Sequence, residues 1–182
     1  DPAEFDAGQA YDFNVTVVNG GAIETVILEF NLTNHTAKNF AGDIYNVTLT
    51  DLEVGTYAYR WYANDTSGNM NSSENGTYTI VQNSSYQLVL TGTTPINNPT
   101  AGDFEGTACP AQLTCTLYRD NVSVSNPDTT VLGVGTYTYI FNTTGNANFS
   151  SNSTGFQTLT VNQGTSAVNL SLNGTFGNIT II

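Results

Sequence analysis

Length, composition and charge exclude several classes of protein. The chain has 182 residues, of which 39% are hydrophobic and only 10% are charged. Its 15 acidic and 3 basic residues give a formal net charge of −12 at pH 7, which excludes the clustered Lys and Arg of a nucleic-acid-binding protein and disfavours docking on an anionic membrane. No apolar run approaches the roughly 20 residues of a membrane span, so we expect no membrane insertion by this segment. The start lacks Met and a signal-like stretch, which predicts a processed chain or one cut from a longer protein.

Alternation of apolar and polar residues predicts β-strands along the whole chain, and helical periodicity is absent. Four such runs follow one another in the first half, at residues 11–17, 26–32, 45–49 and 57–63. Turn signals such as Asn19-Gly20-Gly21 separate them. Short strands at this spacing are typical of an all-β antiparallel sandwich.

The sequence contains an internal repeat. Residues 52–59 (LEVGTYAY) return as residues 132–139 (LGVGTYTY), a period of about 80 that suits one seven-stranded sandwich. We therefore predict one domain at residues 1–82 and a second at 83–164, followed by a short tail at 165–182.

The repeated motif resembles the tyrosine corner of immunoglobulin-like sandwiches. In that family the hydroxyl of a Tyr in the position of Tyr57 and Tyr137 bonds back to the backbone of the preceding turn. Tyr59 and Tyr139 stand where antibody domains carry a Cys, so the inter-sheet disulfide of antibodies is missing. The chain is more similar to tandem immunoglobulin-like repeats of microbial and archaeal cell-surface or filament proteins, whose Thr/Asn-rich motifs are like residues 55–65 and 147–151 here. The resemblance implies two tandem Ig-like antiparallel β-sandwiches, and says little about activity.

Two cysteines, Cys109 and Cys115, lie between two strand-like runs. A small disulfide ring closed across a hairpin fits this spacing and an oxidising, extracellular compartment. A pair of free thiols and a metal site are the alternatives, but two Cys without a nearby His make a poor zinc site. We predict the disulfide.

The sequence is rich in sites for N-glycosylation. There are 15 sequons, whereas its content of Asn, Ser and Thr would give about 5 by chance. The excess predicts a secreted or cell-surface protein with covalent N-glycans, against the alternative of a Thr/Asn-rich β protein that carries sequons by accident. The acceptor positions are Asn14, Asn31, Asn34, Asn46, Asn64, Asn71, Asn75, Asn83, Asn121, Asn142, Asn148, Asn152, Asn169, Asn173 and Asn178. Those within strands alternate with apolar residues and are expected to face water.

The tail matches a strand that the first domain lacks. Residues 168–175 (VNLSLNGT) repeat the opening of the second domain, residues 86–93 (YQLVLTGT), and the first domain has no such opening. We infer strand donation from one chain to the next, which builds a head-to-tail homopolymer of identical subunits. Alternatively, the sequence is a window of a longer repeat array, or the tail folds back on the second domain. The predicted donor-strand anchors are Val168, Leu170, Leu172, Ile179 and Ile181.

No constellation of residues predicts catalysis, a metal site or a cofactor. His35 is the single His and has no partner near it in sequence, so we predict that the protein is not an enzyme. The predicted function is a structural subunit of an extracellular, pilus-like filament or surface layer. The alternative is an adhesin or carbohydrate-binding module that uses Arg60, Tyr62 or loop aromatics, with Trp61 read as a core residue.

Overall fold

The computed structural model describes residues 2–18, 22–73 and 75–166, and the backbone of 171–172 and 175–176. All its regular elements are β-strands, which confirms the predicted fold class. By their contacts, residues group into unit 1 (Asp1–Tyr86 with Thr144–Asn152) and unit 2 (Gln87–Thr143 with Ser153–Ile182). Among the residues described, no helix is long and apolar enough to cross a membrane.

The first nine strands belong to unit 1. They are β1 (Ala3–Glu4), β2 (Ala10–Thr16), β3 (Ile23–Phe30), β4 (Thr33–Thr36), β5 (Lys38–Ala41), β6 (Ile44–Thr50), β7 (Gly55–Asp65), β8 (Met70–Ser72) and β9 (Gly76–Val81). One sheet has the order β1-β9-β7-β3-β4, with β8 also paired to β7, and the other has the order β2-β6-β5. In immunoglobulin lettering these are strands A′, G, F, C and C′ facing strands B, E and D.

The later strands build a second sandwich and a short hairpin. They are β10 (Val89–Thr91), β11 (Ile96–Asn97), β12 (Glu105–Thr107), β13 (Thr116–Arg119), β14 (Val122–Val124), β15 (Gly135–Thr143), β16 (Asn152–Ser153), β17 (Gln157–Asn162), β18 (Ser171–Leu172) and β19 (Thr175–Phe176). The order β11-β17-β15-β13-β14 repeats A′-G-F-C-C′, and β10 pairs with β12 as strand A pairs with strand B.

The tail is described at two short strands, β18 and β19. Its described part is a hairpin in which Leu172 of β18 lies opposite Thr175 of β19. The sequence between them is Asn173-Gly174, the dipeptide that most favours a two-residue hairpin connection. Two residue pairs of this pairing are described, Leu172–Thr175 and Ser171–Phe176.

The core of unit 1 follows from the pleat of its strands. Alternate residues of β3 point inward, so Val26, Leu28 and Phe30 are almost fully buried. Trp61 of β7 is 7% exposed and joins the same cluster, as its position in the alternation predicted.

Unit 2 encloses an aromatic stack and a buried ion pair. The rings of Phe104 and Tyr139 stack with centroids 4.2 Å apart, and both side chains are fully buried. Asp128, only 1% exposed, forms an ion pair with Arg119 and accepts hydrogen bonds from Tyr139 Oη (2.8 Å) and Thr130 Oγ1 (2.6 Å). A buried charge without partners would destabilise the fold, and these contacts give the carboxylate of Asp128 its partners.

The disulfide is confirmed: Cys109 and Cys115 are bonded, and their Cα atoms are 6.1 Å apart. The two corner tyrosines make equivalent hydrogen bonds. Tyr57 Oη donates to the backbone oxygen of Glu53 (2.7 Å), and Tyr137 Oη donates to that of Gly133 (3.0 Å). Each bond fixes the turn that leads into the long central strand of its sheet.

The pKa of Asp128 predicts how the stability of unit 2 depends on pH. Burial raises this pKa, but hydrogen bonds from Thr130 and Tyr139 and the charge of Arg119 together bring it below its ordinary value. A carboxyl group whose pKa is lower in the folded state stabilises the fold at pH values above its unfolded-state pKa of about 4. This contribution to the unfolding free energy is lost as the pH falls below that pKa and through the folded-state pKa. We expect Asp128→Asn to lose about 3 kcal/mol of unfolding free energy at neutral pH, and the deficit relative to wild type to shrink in acid.

Unfolding in urea is measured at several pH values, and the NMR signals of the buried Leu159 report the folded fraction. Glu105→Gln, which neutralises an exposed carboxylate of the same unit, is the matched control and should change little. A deficit in Asp128→Asn that stays constant from neutral pH to about pH 2 would contradict the assignment.

Candidate functional site: an open sheet edge in the first sandwich

Strand β2 forms one edge of its sheet. It pairs with β6 along its whole length, from Ala10 opposite Thr50 to Thr16 opposite Ile44. On its other side, no strand pairs with it in the ranges that the structure describes. Its counterpart in unit 2, β12, is paired with β10 on that side. The edge of β2 therefore presents backbone donors and acceptors that a further strand can bind.

The pairing registers of the two units align β2 with the β12 region residue by residue. Isolated bridges in unit 2 join Phe104 to Asp128 and Ala101 to Val131, and the matching pairs in unit 1 are Phe13–Val47 and Ala10–Thr50. Phe13 thus corresponds to Phe104, and Asp12 corresponds to Asp103. The shared register allows the two edges to be compared residue by residue.

The two cores differ in how well they are covered. In unit 2, Phe104, Tyr139 and Leu159 are all 0% exposed. Their counterparts in unit 1 are only half-buried, and these are Phe13, Tyr59 and Tyr78. The same fold position is therefore sealed in one sandwich and accessible in the other.

Leu88 and Leu90 account for the difference, because they pack on the core of unit 2 from the covering strand. Leu90 is 5% exposed and lies opposite Gly106 of β12. The backbone of Gly92 lies against the ring of Phe104, where a Cβ would collide with it. This strand covers the aromatic stack with two leucines and one close glycine.

Two grooves open along the uncovered side of β2. One of about 190 Å³ is lined by Phe13, Tyr59 and Tyr78 among others. Another of about 250 Å³ is lined by Val15, Val17 and further residues of β7 and β8. Both grooves expose apolar and aromatic side chains of the kind that a covering strand would bury.

Polar side chains on the outward face of β2 form a small network. Thr48 Oγ1 donates to Asp12 Oδ1 (2.5 Å), and Asn46 Nδ2 donates to Asn14 Oδ1 (3.0 Å). At the corresponding place in unit 2, Asp103 instead binds the covering strand. Thr93 donates to it through its backbone N and its Oγ1, both at 2.6 Å. These two hydrogen bonds lower the pKa of Asp103.

The predicted donor anchors fall almost entirely outside this description. Val168, Leu170, Ile179 and Ile181 lie outside the described residues. Only the backbone of Leu172 is described, in the β18–β19 hairpin. Their role as anchors stays a prediction.

Arg60 and Tyr62, the candidate sugar-binding residues, are engaged with their own sheet. The guanidinium carbon of Arg60 lies 5.5 Å from the ring centroid of Tyr62, within the range of a cation–π contact. Arg60 also donates to the Ser73 backbone oxygen (2.9 Å) and to Ser72 Oγ (2.7 Å). Because these donors bind within the domain, the contacts of Arg60 join β7 to Ser72 and Ser73 and leave fewer donors for a ligand.

The titratable side chains that the structure describes do not form a group that could hold a metal ion. His35 lies on β4 opposite Leu28, beside β3. In the described part of the chain, no group of three or more His, Cys, Asp or Glu could hold a metal ion. The prediction that the protein is not an enzyme stays a prediction.

The sequons divide by exposure. Six acceptors are exposed, namely Asn14, Asn31, Asn34, Asn71, Asn75 and Asn121. Six are half-buried, namely Asn46, Asn64, Asn83, Asn142, Asn148 and Asn152. Asn169, Asn173 and Asn178 lie outside the described residues. Alternation alone could not make this division, because it reports the face of a strand and not the contacts of the amide.

Asn83 and Asn152 use their amide nitrogens inside unit 1. Asn83 Nδ2 donates to the Phe5 backbone oxygen (3.0 Å), and Asn152 Nδ2 donates to that of Tyr86 (2.7 Å). The ring of Phe149 lies beside both Phe5 and Tyr86, with centroid distances of 5.4 and 5.7 Å. A glycan on either amide would replace one of the two N–H groups of an Nδ2 that already donates to the backbone, and would have to fit next to this aromatic cluster.

We therefore expect Asn83 and Asn152 to be unmodified in the folded protein, and Asn31, Asn34 and Asn121 to carry glycans. Site occupancy is measured by glycopeptide mass spectrometry after enzymatic deglycosylation in heavy-oxygen water. Asn83→Gln should also lower the melting temperature, whereas the matched change Asn121→Gln should not. Occupancy of Asn83 or Asn152 equal to that of Asn121 would overturn this division.

Comparisons with known proteins give matches to solved structures at low sequence identity. No family model matches the sequence, and a search of curated proteins gives no match. Among solved structures, the fibronectin(III)-like modules of Clostridium thermocellum CbhA are 14% identical with a TM-score of 0.38, covering 89% of this chain and 90% of that one. The I9–I11 tandem of titin is 13% identical with a TM-score of 0.34, covering 90% and 64%.

A third similar structure is SGBP-B of the Bacteroides ovatus mixed-linkage glucan utilization locus, in complex with a mixed-linkage heptasaccharide. It is 18% identical with a TM-score of 0.26, covering 90% of this chain and 46% of that one. The order of the strands itself, A′-G-F-C-C′ in both units, identifies the chain as two tandem immunoglobulin-like β-sandwiches.

Proposed function

We propose that this protein is a structural subunit of an extracellular, N-glycosylated filament or surface layer. In this proposal the tail of one subunit pairs with the open edge of β2 in the next subunit. The contact joins two different surfaces, so it is head-to-tail and propagates as an open polymer unless the rotation closes. The role needs neither catalysis nor a cofactor.

One observation carries the proposal. The tail repeats the sequence of the strand that covers the equivalent edge in unit 2: residues 168–175 match residues 86–93 at Leu170, Leu172, Gly174 and Thr175. The matched positions are those that contact the core or the neighbouring strand in unit 2. The tail therefore repeats the residues by which the covering strand of unit 2 contacts its own sandwich, which supports its pairing with the open edge of β2.

Burial of apolar surface supplies the driving force. The half-buried Phe13, Tyr59 and Tyr78 line the groove that the tail would cover. Each Leu or Ile side chain moved from water into such a groove contributes about 1.5–3 kcal/mol. Backbone pairing along the edge of β2 adds register and specificity. Ordering the tail offsets part of this gain, which favours several anchors over one.

Composition and covalent chemistry support a place outside the cell. The Cys109–Cys115 disulfide forms and persists in oxidising compartments. The exposed sequons offer acceptors for glycans, and the chain has only three Lys and Arg side chains, so few bonds are open to trypsin-like proteases. Each of these properties suits a fibre that must last outside the cell.

A single charge in the tail tests the proposal. We expect Leu172→Asp to abolish filaments seen by electron microscopy, because burying an unpaired carboxylate costs more than about 3 kcal/mol per contact. Asn169→Asp adds the same charge in the outward phase of the tail and is the matched control. It should leave assembly within about twofold of wild type, since the added charge stays in water.

Other outcomes would separate the alternatives. Filaments of Leu172→Asp as abundant as those of wild type would refute tail donation. Wild-type chains that stay monomeric at every concentration would favour a tail that folds back on its own molecule. Polymers in which β2 pairs with residues outside this sequence would favour a longer repeat array.

A further inference from the structure

The strand β10 of unit 2 supplies a template for the register of the donated tail. Val89, Leu90 and Thr91 lie opposite Thr107, Gly106 and Glu105 in an antiparallel ladder. Two residues later, Thr93 binds Asp103 through its backbone N and its hydroxyl. Each position of this template has a counterpart in the tail and in β2, with Val15 of β2 in the place of Gly106.

We propose that the donated tail runs antiparallel to β2 with Leu172 opposite Val15, and that Thr175 binds Asp12. This inference rests on the proposed function, and it goes further by fixing which atoms of two copies meet. Leu172 takes the place of Leu90, Gly174 takes that of Gly92, and Thr175 takes that of Thr93. The partner is a second copy of this chain.

The geometry of Asp12 fits the role. Its Oδ1 accepts a hydrogen bond from Thr48 Oγ1 at 2.5 Å, which fixes the carboxylate on the outward face of β2. Asp103, which occupies the same register position in unit 2, accepts both of its bonds from Thr93. Hydrogen bonds to an ionised carboxylate are shorter and stronger than neutral ones, so this contact can fix the register.

Gly92 precedes Thr93 in unit 2, and Gly174 precedes Thr175 in the tail. This glycine has a steric role in the same register. A Cβ at Gly92 would collide with the ring of Phe104. Gly174 would meet Phe13, the counterpart of Phe104, and only a glycine lets the backbone approach that ring so closely. A shift of the tail by two residues would put Leu172 or a larger residue in that place.

The outward phase of the tail stays open to solvent in this register. Residues 171, 173 and 175 alternate with Leu172 and lie on the face that carries Asp12, Asn14 and Thr16. A glycan on Asn173 would project away from the core and so be compatible with donation. Docking also requires opening the β18–β19 pairing, in which Leu172 and Ser171 are joined to Thr175 and Phe176.

Disulfide trapping tests the register in the full-length chain. With Asn14→Cys and Asn173→Cys together, we expect mild oxidation to convert at least half of the subunits into covalent multimers on a non-reducing gel. Asn14→Cys with Ser171→Cys and Asn14→Cys with Thr175→Cys are matched controls shifted by two residues. They should cross-link at least tenfold less, because the opposed pair lies about 5 Å apart and the diagonal pairs are farther.

The outcomes separate the register from the proposed function. Filaments that cross-link through a control pair would overturn the register and leave strand donation intact. An intramolecular link, with a monomer band only, would overturn both, because the tail would then cover its own β2. Absence of filaments and of any cross-link would also overturn both.

A second variant tests the carboxylate. In an Asn173→Gln background, which removes one sequon in advance, Thr175→Val and Asp12→Asn should each speed dissociation of subunits by about tenfold. Combining them should add little to either alone, because both remove the same contact. Additive effects would mean that Thr175 and Asp12 do not bind each other.

Discussion

The uncovered edge of β2 is the constraint on which the properties of the first sandwich depend. Backbone groups along a sheet edge need partners, and the aromatic side chains behind this edge are only half-buried. Unit 2 shows the closed form of the same arrangement, with Leu90 over the stack of Phe104 and Tyr139. Because the two units share one register, unit 2 shows how a strand covers this position of the fold.

The cores of the two sandwiches differ in polarity at one matching position. Unit 2 places a carboxylate, Asp128, in its interior and neutralises it with Arg119, Tyr139 and Thr130. Unit 1 has Val47 at the matching position and fills the space with aromatic residues, so its core is wholly apolar there. At this position unit 1 therefore has no carboxylate that needs partners in the core.

Local patterns predicted the strands and the fold class, because every second residue of a pleated strand faces the core and is apolar. They also predicted the disulfide, which joins cysteines only six residues apart. Contacts between distant residues left no such signal: Asp128 reads as one more polar residue, and nothing in the sequence near Asn83 indicates that its amide binds Phe5. The open edge was readable from sequence only because the chain repeats, so that one copy shows what the other lacks.

Parallel pairing of terminal strands has a mechanical consequence. In unit 1, β1 runs parallel to β9, with Ala3 opposite Ile80 and Glu4 opposite Val81. Tension that pulls such strands in opposite directions along their axes loads their hydrogen bonds in shear, so that they resist together. A hairpin pulled at its open end separates bond by bond and yields at lower force. Unit 2 pairs β11 with β17 in the same parallel way, so tension of this kind on either sandwich would load these hydrogen bonds in shear.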